Sequence, residues 1–239
     1  MTVDLDFLAV LAQWPQLARG AALTVGLTVA STLGGLAIGV GGAWARHDAP
    51  AWLRWPVVAY VEAMRNTPFI VQLFFLFFGL PSLGIRLSPV AASILAMTVN
   101  LGAYATEIFR GALLATPRGQ VEAAASLALS RAQIFFHVVL PPALKQAWPA
   151  TTSQIVIVML GSAVCGQISA AELSYYANLI QSRNFRAFEA TIVATVIYLA
   201  LAVALRQALM VAGTRWLFGH SGVASGRAAA PASGSGPHP

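Results

Sequence analysis

Four kinds of polar chemistry can be sought in this sequence, and three of them fail on spacing. A metal site needs clustered His, Cys or carboxylate ligands, but His47, His137, His220 and His238 lie far apart and no HExxH or CxxC occurs. Ser162, in Leu160-Gly161-Ser162-Ala163, is placed like an intramembrane nucleophile, yet no histidine lies inside an apolar run to activate it. No GxxxxGK[ST] loop exists to cradle phosphates, so any use of ATP must come from a partner. The fourth kind survives. Asn100, Tyr104 and Glu107 fall about one helical turn apart on one face of an apolar segment. Such a stripe of amide, phenol and carboxylate suits the path of a polar solute. It also suits bonding between neighbouring helices, or a pairing of Glu107 with Arg110 at i, i+3. Gln72, Gln154 and Ser162 are further path candidates, although a lone amide in an apolar helix often serves as interhelical glue. If the stripe lines a path, Glu107→Gln should alter transport more than abundance, and equal losses of both favour the bonding role.

The elements that must carry these residues are set by composition. Of 239 residues, 58% are hydrophobic and 9% charged, against about 25% charged in a soluble domain. Mean hydropathy is +0.72. Such a chain cannot cover a water-facing surface. The hydrocarbon core of a bilayer, about 30 Å thick, needs roughly 20 apolar residues of helix per crossing. Five such segments are present, at about 20–45, 57–80, 87–109, 146–167 and 189–213. The expected fold is an all-α membrane protein of five transmembrane helices, spanning 20–218, with a water-exposed loop at 111–145. The net charge of +6 does not mark a nucleic-acid partner, because the 14 Lys and Arg are scattered singly between apolar runs. Cys165 is the only cysteine, which excludes an intrachain disulfide.

Cations in short loops are retained on the cytoplasmic side. With the N-terminus outside, Arg46, Arg54, Arg65, Arg110, Arg118, Arg131, Lys145, Arg215 and Arg227 fall inside, and Arg19, Arg86, Arg183 and Arg186 outside. Residues 1–19 are therefore expected outside (periplasmic) and the C-terminus inside. Asp4 and Asp6 with no cation before them do not make a signal-peptide start, so the first apolar helix is expected to be retained. Residues 219–239, rich in Ala, Gly, Ser and Pro, are expected to form a disordered cytoplasmic tail. Gly35 and Gly39 have the small-xxx-small spacing that lets helices approach closely, read here as general packing rather than a dedicated dimer contact.

The inner loop is the most informative segment. Thr116-Pro117 predicts a helix start with Thr as cap and Pro at the first helical position, followed by Glu122-Ala123-Ala124-Ala125 and a stop near Ala128. Ser130-Arg131-Ala132-Gln133 matches a capping box, so a second helix is expected at once, ended by Pro141-Pro142. An alanine face on a short surface helix lets another protein approach closely. A plain connector would be more polar, and the segment is read as a docking element.

Glu122-Ala123-Ala124, then Ala128, then Val139-Leu140-Pro141 resembles the EAA loop of the membrane subunits of bacterial ABC importers. Ala128 stands where that family usually has Gly, and Val139 where it often has Ile. Arg65-Asn66-Thr67-Pro68, Val71-Gln72-Leu73-Phe74-Phe75, Asn100-Leu101-Gly102-Ala103-Tyr104, Glu107-Ile108-Phe109-Arg110-Gly111, Ile180-Gln181-Ser182 and Phe185-Arg186-Ala187-Phe188-Glu189 are similar to its polar amino acid branch. The resemblance implies an ABC type I importer permease fold in the bacterial cytoplasmic (inner) membrane. It implies as partners a dimer of ABC ATPase subunits, a second permease subunit in a homo- or heterodimer, and an external solute-binding protein. It implies coupling through Glu122, Ala123, Ala124, Ala128, Leu129, Ser130 and Pro141. No cofactor is expected in this chain, ATP and Mg being bound by the ATPase, and no bond chemistry. Where many members carry Lys-Asp-Thr or Lys-Asp-Ser in the fourth span, this chain has Leu160-Gly161-Ser162, which fits pairing with a non-identical second permease. Other solutes implied by the resemblance are an opine or a sulfur-containing amino acid. An ATP-independent transporter would instead show internal repeats with broken helices, and no such duplication is seen.

Overall fold

A computed structural model of the chain describes residues 5–216. The tail expected at 219–239 and the first residues of the N-terminal segment lie outside the described residues. The elements run α1 (Phe7–Leu11), α2 (Trp14–Asp48), α3 (Ala51–Arg65), α4 (Phe69–Phe74), α5 (Pro89–Leu114), α6 (Arg118–Ser126), α7 (Arg131–Ile134), α8 (Leu140–Gly161), α9 (Leu173–Asn184) and α10 (Ala187–Trp216). A π turn at Phe75–Gly79 and a 3-10 turn at Leu80–Leu83 extend α4. A second π turn, Phe135–Val139, joins α7 to α8, and a 3-10 turn at Ser162–Ile168 follows α8.

Four helical stretches among the described residues are long and apolar enough to cross a bilayer, and a fifth crossing is reached when a broken pair is counted as one. That pair is α3 with Phe69–Leu83, bent by 112°. The crossing expected as continuous over 57–80 is thus interrupted. Pro68 is the cause: it disfavours helical backbone at Thr67 and offers no N–H of its own. Boundaries elsewhere also differ from the expected ones. α2 starts at Trp14 rather than Gly20, because Pro15 suits a first helical turn and Leu17 is fully buried in an end cluster with Val10, Leu173, Ile180 and Ala190.

Pro141-Pro142 does not end a helix. The π turn carries the chain through: the Leu140 N–H reaches back to the Phe135 carbonyl, and the prolines occupy the first positions of α8, where no N–H is needed. Thr116 does not cap α6 either. Pro117 holds the extended cap position with φ −59° and ψ 130°, so the helix begins at Arg118, and the Thr116 hydroxyl is buried without a hydrogen-bond partner.

The centre of the bundle is α2 packed parallel on α5. Gly34 lies over Thr98, Gly35 over Leu101, Gly39 over Ala105 and Gly42 over Thr106. A Cβ at Gly39 would stand 2.4 Å from Ala105 Cβ, and one at Gly42 would stand 2.3 Å from Thr106 Oγ1. The small-xxx-small spacing is therefore used inside the chain. Around this seam Leu27, Leu73, Met97, Leu101, Val158 and Cys165 form the main core. Several buried hydroxyls are returned to their own helices, as when Thr28 donates to the Thr24 carbonyl at 2.8 Å and Thr106 to the Gly102 carbonyl at 2.8 Å. Such bonds satisfy a donor where no water is available to do so. Trp44, Trp52 and Trp55 are exposed near the cation-rich end, where indole rings suit the bilayer interface.

Candidate functional site

The helix break and the stripe on α5 meet. Gln72, in the first turns after the break, donates from Nε2 to the Met64 carbonyl at 2.8 Å, the Thr67 carbonyl at 3.1 Å and Thr67 Oγ1 at 2.9 Å. These bonds replace backbone pairing lost at Pro68. Gln72 Oε1 accepts from Asn100 Nδ2 at 3.0 Å, so the two amides tie the broken helix to α5. Asn100 borders a small cleft of about 90 Å³ with Phe69, Ile157 and Gly161. Tyr60, on α3, donates to the Val99 carbonyl one residue away.

Further along the same face, Arg65 lies over the Tyr104 ring, 5.6 Å from its centre. Glu107 then accepts from Arg46 on α2, and from Arg110 with Nη2 to Oε2 at 2.8 Å. Arg65 Nη1 stands 3.7 Å from Glu107 Oε2. The i, i+3 pairing with Arg110 is present, but it is one of three. A single carboxylate, 16% exposed, joins the ends of α2, α3 and α5. The structure brings Gln72, Asn100, Tyr104 and Glu107 together on one face. Among the described residues no hydrogen bond joins Ser162 or Gln154 to them. Ser162 is buried and donates to the Met159 carbonyl at 2.6 Å within its own chain turn. Gln154 is half-buried on α8.

The helical period of α5 does not point to Arg46 and Arg65, which reach the stripe from α2 and α3. A signal for them exists in the sequence, since each lies in the last turn of a helix at the cation-rich end. Glu172 also escapes the motif reading. It is fully buried, caps α9 by accepting from Ser174 N at 2.9 Å and Tyr175 N at 2.8 Å, and accepts from the Tyr198 hydroxyl. An acid just before a helix is its sequence sign.

At the other edge of the arginine cluster, α6 and α7 form a knuckle. Glu122, Ala123, Ala125, Ala128 and Ser130 are exposed, and Leu127 is 77% exposed at the tip. Ala124 faces inward, 6% exposed, and Leu129 is half-buried. Pro141 is exposed but sits at the start of α8. The capping box is complete: Gln133 N donates to Ser130 Oγ, and Ser130 N to Gln133 Oε1 at 2.8 Å. A groove of about 490 Å³ between this knuckle and the ends of α2 and α5 is lined by His47, Leu113, Arg118, Glu122, Arg131 and Phe135, among others.

α6 ends in a Schellman turn, with Leu129 N bonded to the Ala124 carbonyl and Ala128 N to the Ala125 carbonyl. The turn needs a left-handed residue, and Ala128 takes φ 57°. A non-glycine residue there costs roughly 1–2 kcal/mol. Ala128→Gly should therefore raise stability by about 1 kcal/mol. Thermal unfolding of the purified protein in detergent reads this, and an unchanged or lower midpoint would count against strain at Ala128.

A bundle of membrane-crossing helices, one of them broken beside a polar stripe, with a solvent-exposed helical knuckle at the cation-rich end, is the architecture of a membrane transport subunit. Residues 35–217 match the family described as the binding-protein-dependent transport system inner membrane component, and the chain belongs to that family. It is a multi-pass ABC transporter permease. The chain is 34% identical to the L-cystine transport system permease protein TcyB of Bacillus subtilis (strain 168), over 72% of this chain and 73% of that protein. It is 33% identical to the glutamine transport system permease protein GlnP of Escherichia coli (strain K12), over 85% and 94%. Among solved structures, a chain of an amino acid ABC transporter crystallised with histidines superposes with a TM-score of 0.83 at 29% identity, covering 89% of this chain and all of that one. A chain of the inward-facing MetNI methionine ABC transporter gives 0.66 at 26% identity, covering 87% and 97%.

Proposed function

We propose that this permease imports an amino acid, taking it from an external solute-binding protein and passing it inward between two permease subunits. The second subunit is a copy of this chain or a non-identical relative, and isolation of a complex with a single permease polypeptide would exclude the latter. ATP and Mg are bound by a pair of ATPase subunits, and this chain carries out no bond chemistry. The similarity to permeases for glutamine and L-cystine supports an amino acid, with polar and sulfur-containing side chains both represented.

The observation that carries the coupling role is the exposed knuckle of α6 and α7. Glu122, Ala123, Ala125, Leu127 and Ala128 offer a small-residue surface that a cleft on the ATPase can close around. Ala124 serves by packing α6 onto the membrane body, so that a push on the knuckle reaches α5 and α8 through the wall of the groove. Closure of the ATPase pair on ATP then shifts the helices between outward-open and inward-open arrangements.

Glu122→Lys should cut ATP-driven uptake in proteoliposomes at least tenfold, about 1.4 kcal/mol or more of lost association. Membrane abundance should stay unchanged, because among the described residues the exposed Glu122 side chain makes no hydrogen bond or ion pair that holds the fold. Co-purification with the ATPase measures association directly. Normal uptake with normal co-purification in this variant would remove the knuckle from the coupling role.

A further inference from the structure

Three guanidiniums converge on one carboxylate at the inner end of the stripe, and one of them is left with its donors unused. Arg46 and Arg110 both hydrogen-bond Glu107. Arg65 does not. Its nearest acidic oxygen is 3.7 Å away, its guanidinium carbon lies over the Tyr104 ring at 5.6 Å from the centre, and its side chain is 40% exposed. Among the described residues it donates no hydrogen bond at all. A planar cation held beside an aromatic ring, with N–H donors that make no hydrogen bond, is suited to take a planar two-oxygen anion.

The surrounding charges point the same way. The carboxylates beside the break are Glu107 and Glu62. Glu107 is occupied by the arginines, and Glu62 is held next to the break by Asn66 Nδ2 at 3.1 Å. Against these two acids stand Arg46, Arg65 and Arg110. Higher on the face, Gln72 and Asn100 are neutral, and where the fourth span closes the Asn100 cleft it presents Ile157 and Gly161. Among the described residues, Glu62 is the carboxylate beside the break that no arginine pairs, and the Asn66 amide holds it, while three guanidiniums outnumber the two acids.

We propose that Arg65 binds the carboxylate of the transported amino acid, and that the permease therefore passes solutes that are neutral or acidic overall rather than basic ones. This rests on the reading of the α5 face as the path. Tyr104 positions Arg65, and the Arg46–Glu107–Arg110 cluster holds the local potential positive so that a carboxylate, unlike an ammonium-bearing side chain, is drawn to it. The same guanidinium chemistry would accept a lipid phosphate, and the test separates the two.

The experiment uses the complete transporter, with its ATPase and binding protein, in phosphatidylcholine vesicles. Arg65→Gln should raise the KM for uptake at least tenfold while Arg65→Lys retains part of the affinity, and Asn100→Ala should raise KM as well. An unchanged KM in Arg65→Gln with a raised KM in Asn100→Ala overturns the role of Arg65 alone. Unchanged KM in both overturns the path reading itself. If the Arg65→Gln effect appears only when phosphatidylglycerol is added to the vesicles, the site is a lipid site and the proposal falls. Should Arg65→Gln fail to assemble, the wild-type permease–ATPase complex in detergent is tested directly by thermal unfolding. L-glutamine and L-glutamate should raise the midpoint, whereas L-glutaminamide, which lacks the α-carboxylate, and L-arginine should raise it less. Equal shifts for glutamine and glutaminamide, or for glutamine and arginine, or no shift from either glutamine or glutamate, overturn it.

Discussion

Gly39→Val should remove most of the folded permease from the membrane. The Cβ of any side chain at this position stands 2.4 Å from Ala105 Cβ, about an ångström and a half inside the normal carbon–carbon contact distance. Neither atom is the end of a flexible side chain. Both are fixed to helix backbones, so α2 and α5 must separate along the seam that also holds Gly35 over Leu101 and Gly42 over Thr106. Overpacking of this kind costs about 1–3 kcal/mol and sometimes more. Here the opened seam also loses packing from its neighbours, which places the cost at or above about 3 kcal/mol, a large share of the roughly 5–15 kcal/mol that holds a typical domain together. Gly41 is the control, because a Cβ there meets nothing within 4 Å. Gly41→Ala should be neutral or slightly stabilising, since alanine is the better helix former, while Gly39→Ala already destabilises. Detergent-solubilised yield and unfolding midpoint compare the two, and equal behaviour of Gly39→Ala and Gly41→Ala would show that the α2–α5 seam is not tight.

Glu107→Gln should lower folded abundance and transport together. Removing one partner of a buried ion pair costs about 3–5 kcal/mol, because the other charge stays behind without compensation. At Glu107, where the side chain is 16% exposed, solvent softens this toward the lower figure. Three arginines remain, however, and repel one another across the ends of three helices. Adding Arg46→Gln should recover part of the loss by relieving that repulsion. A drop in uptake with full abundance would instead give Glu107 the solute-contacting role that its place on the stripe allows. A double variant no better than the single would show that the arginines are adequately separated without it.

The membrane class, most of the crossings and the short helix before Ser130 are legible in the sequence because each depends on local composition and period. A charge-free run of spanning length has few other places to go, and Ser130 with Gln133 makes its capping box regardless of what packs nearby. Ala128 is legible too. The resemblance marks it as a turn where Gly is usual, and the alanine there adopts the left-handed backbone that glycine takes most easily. The prolines are not, and for one reason. The immediate neighbours of Pro68, Pro117 and Pro141 do not settle whether each stops, bends or starts a helix, because that depends on which acceptors and donors the rest of the fold returns to the chain. Gln72 supplies them after Pro68, and a π turn supplies them before Pro141.

The stripe on α5 shows the same division. Helical period alone puts Asn100, Tyr104 and Glu107 on one face, since spacing along one helix is fixed by its geometry. Which groups face them is set by approach between segments far apart in the chain. Tertiary structure brings Arg46 and Arg65 to Glu107, turns the Asn100 amide to Gln72, and leaves Arg65 as the guanidinium with open donors. The sequence by itself determined that this protein is a multi-spanning membrane protein with a short capped helix pair outside the lipid, because composition, helix period and capping are near-neighbour properties, and its motifs carried the resemblance to ABC importer permeases. Beyond the i, i+3 pair of Glu107 with Arg110, only the folded bundle decided which charges cancel and which stay available, because pairing between helices depends on distances that no local pattern encodes.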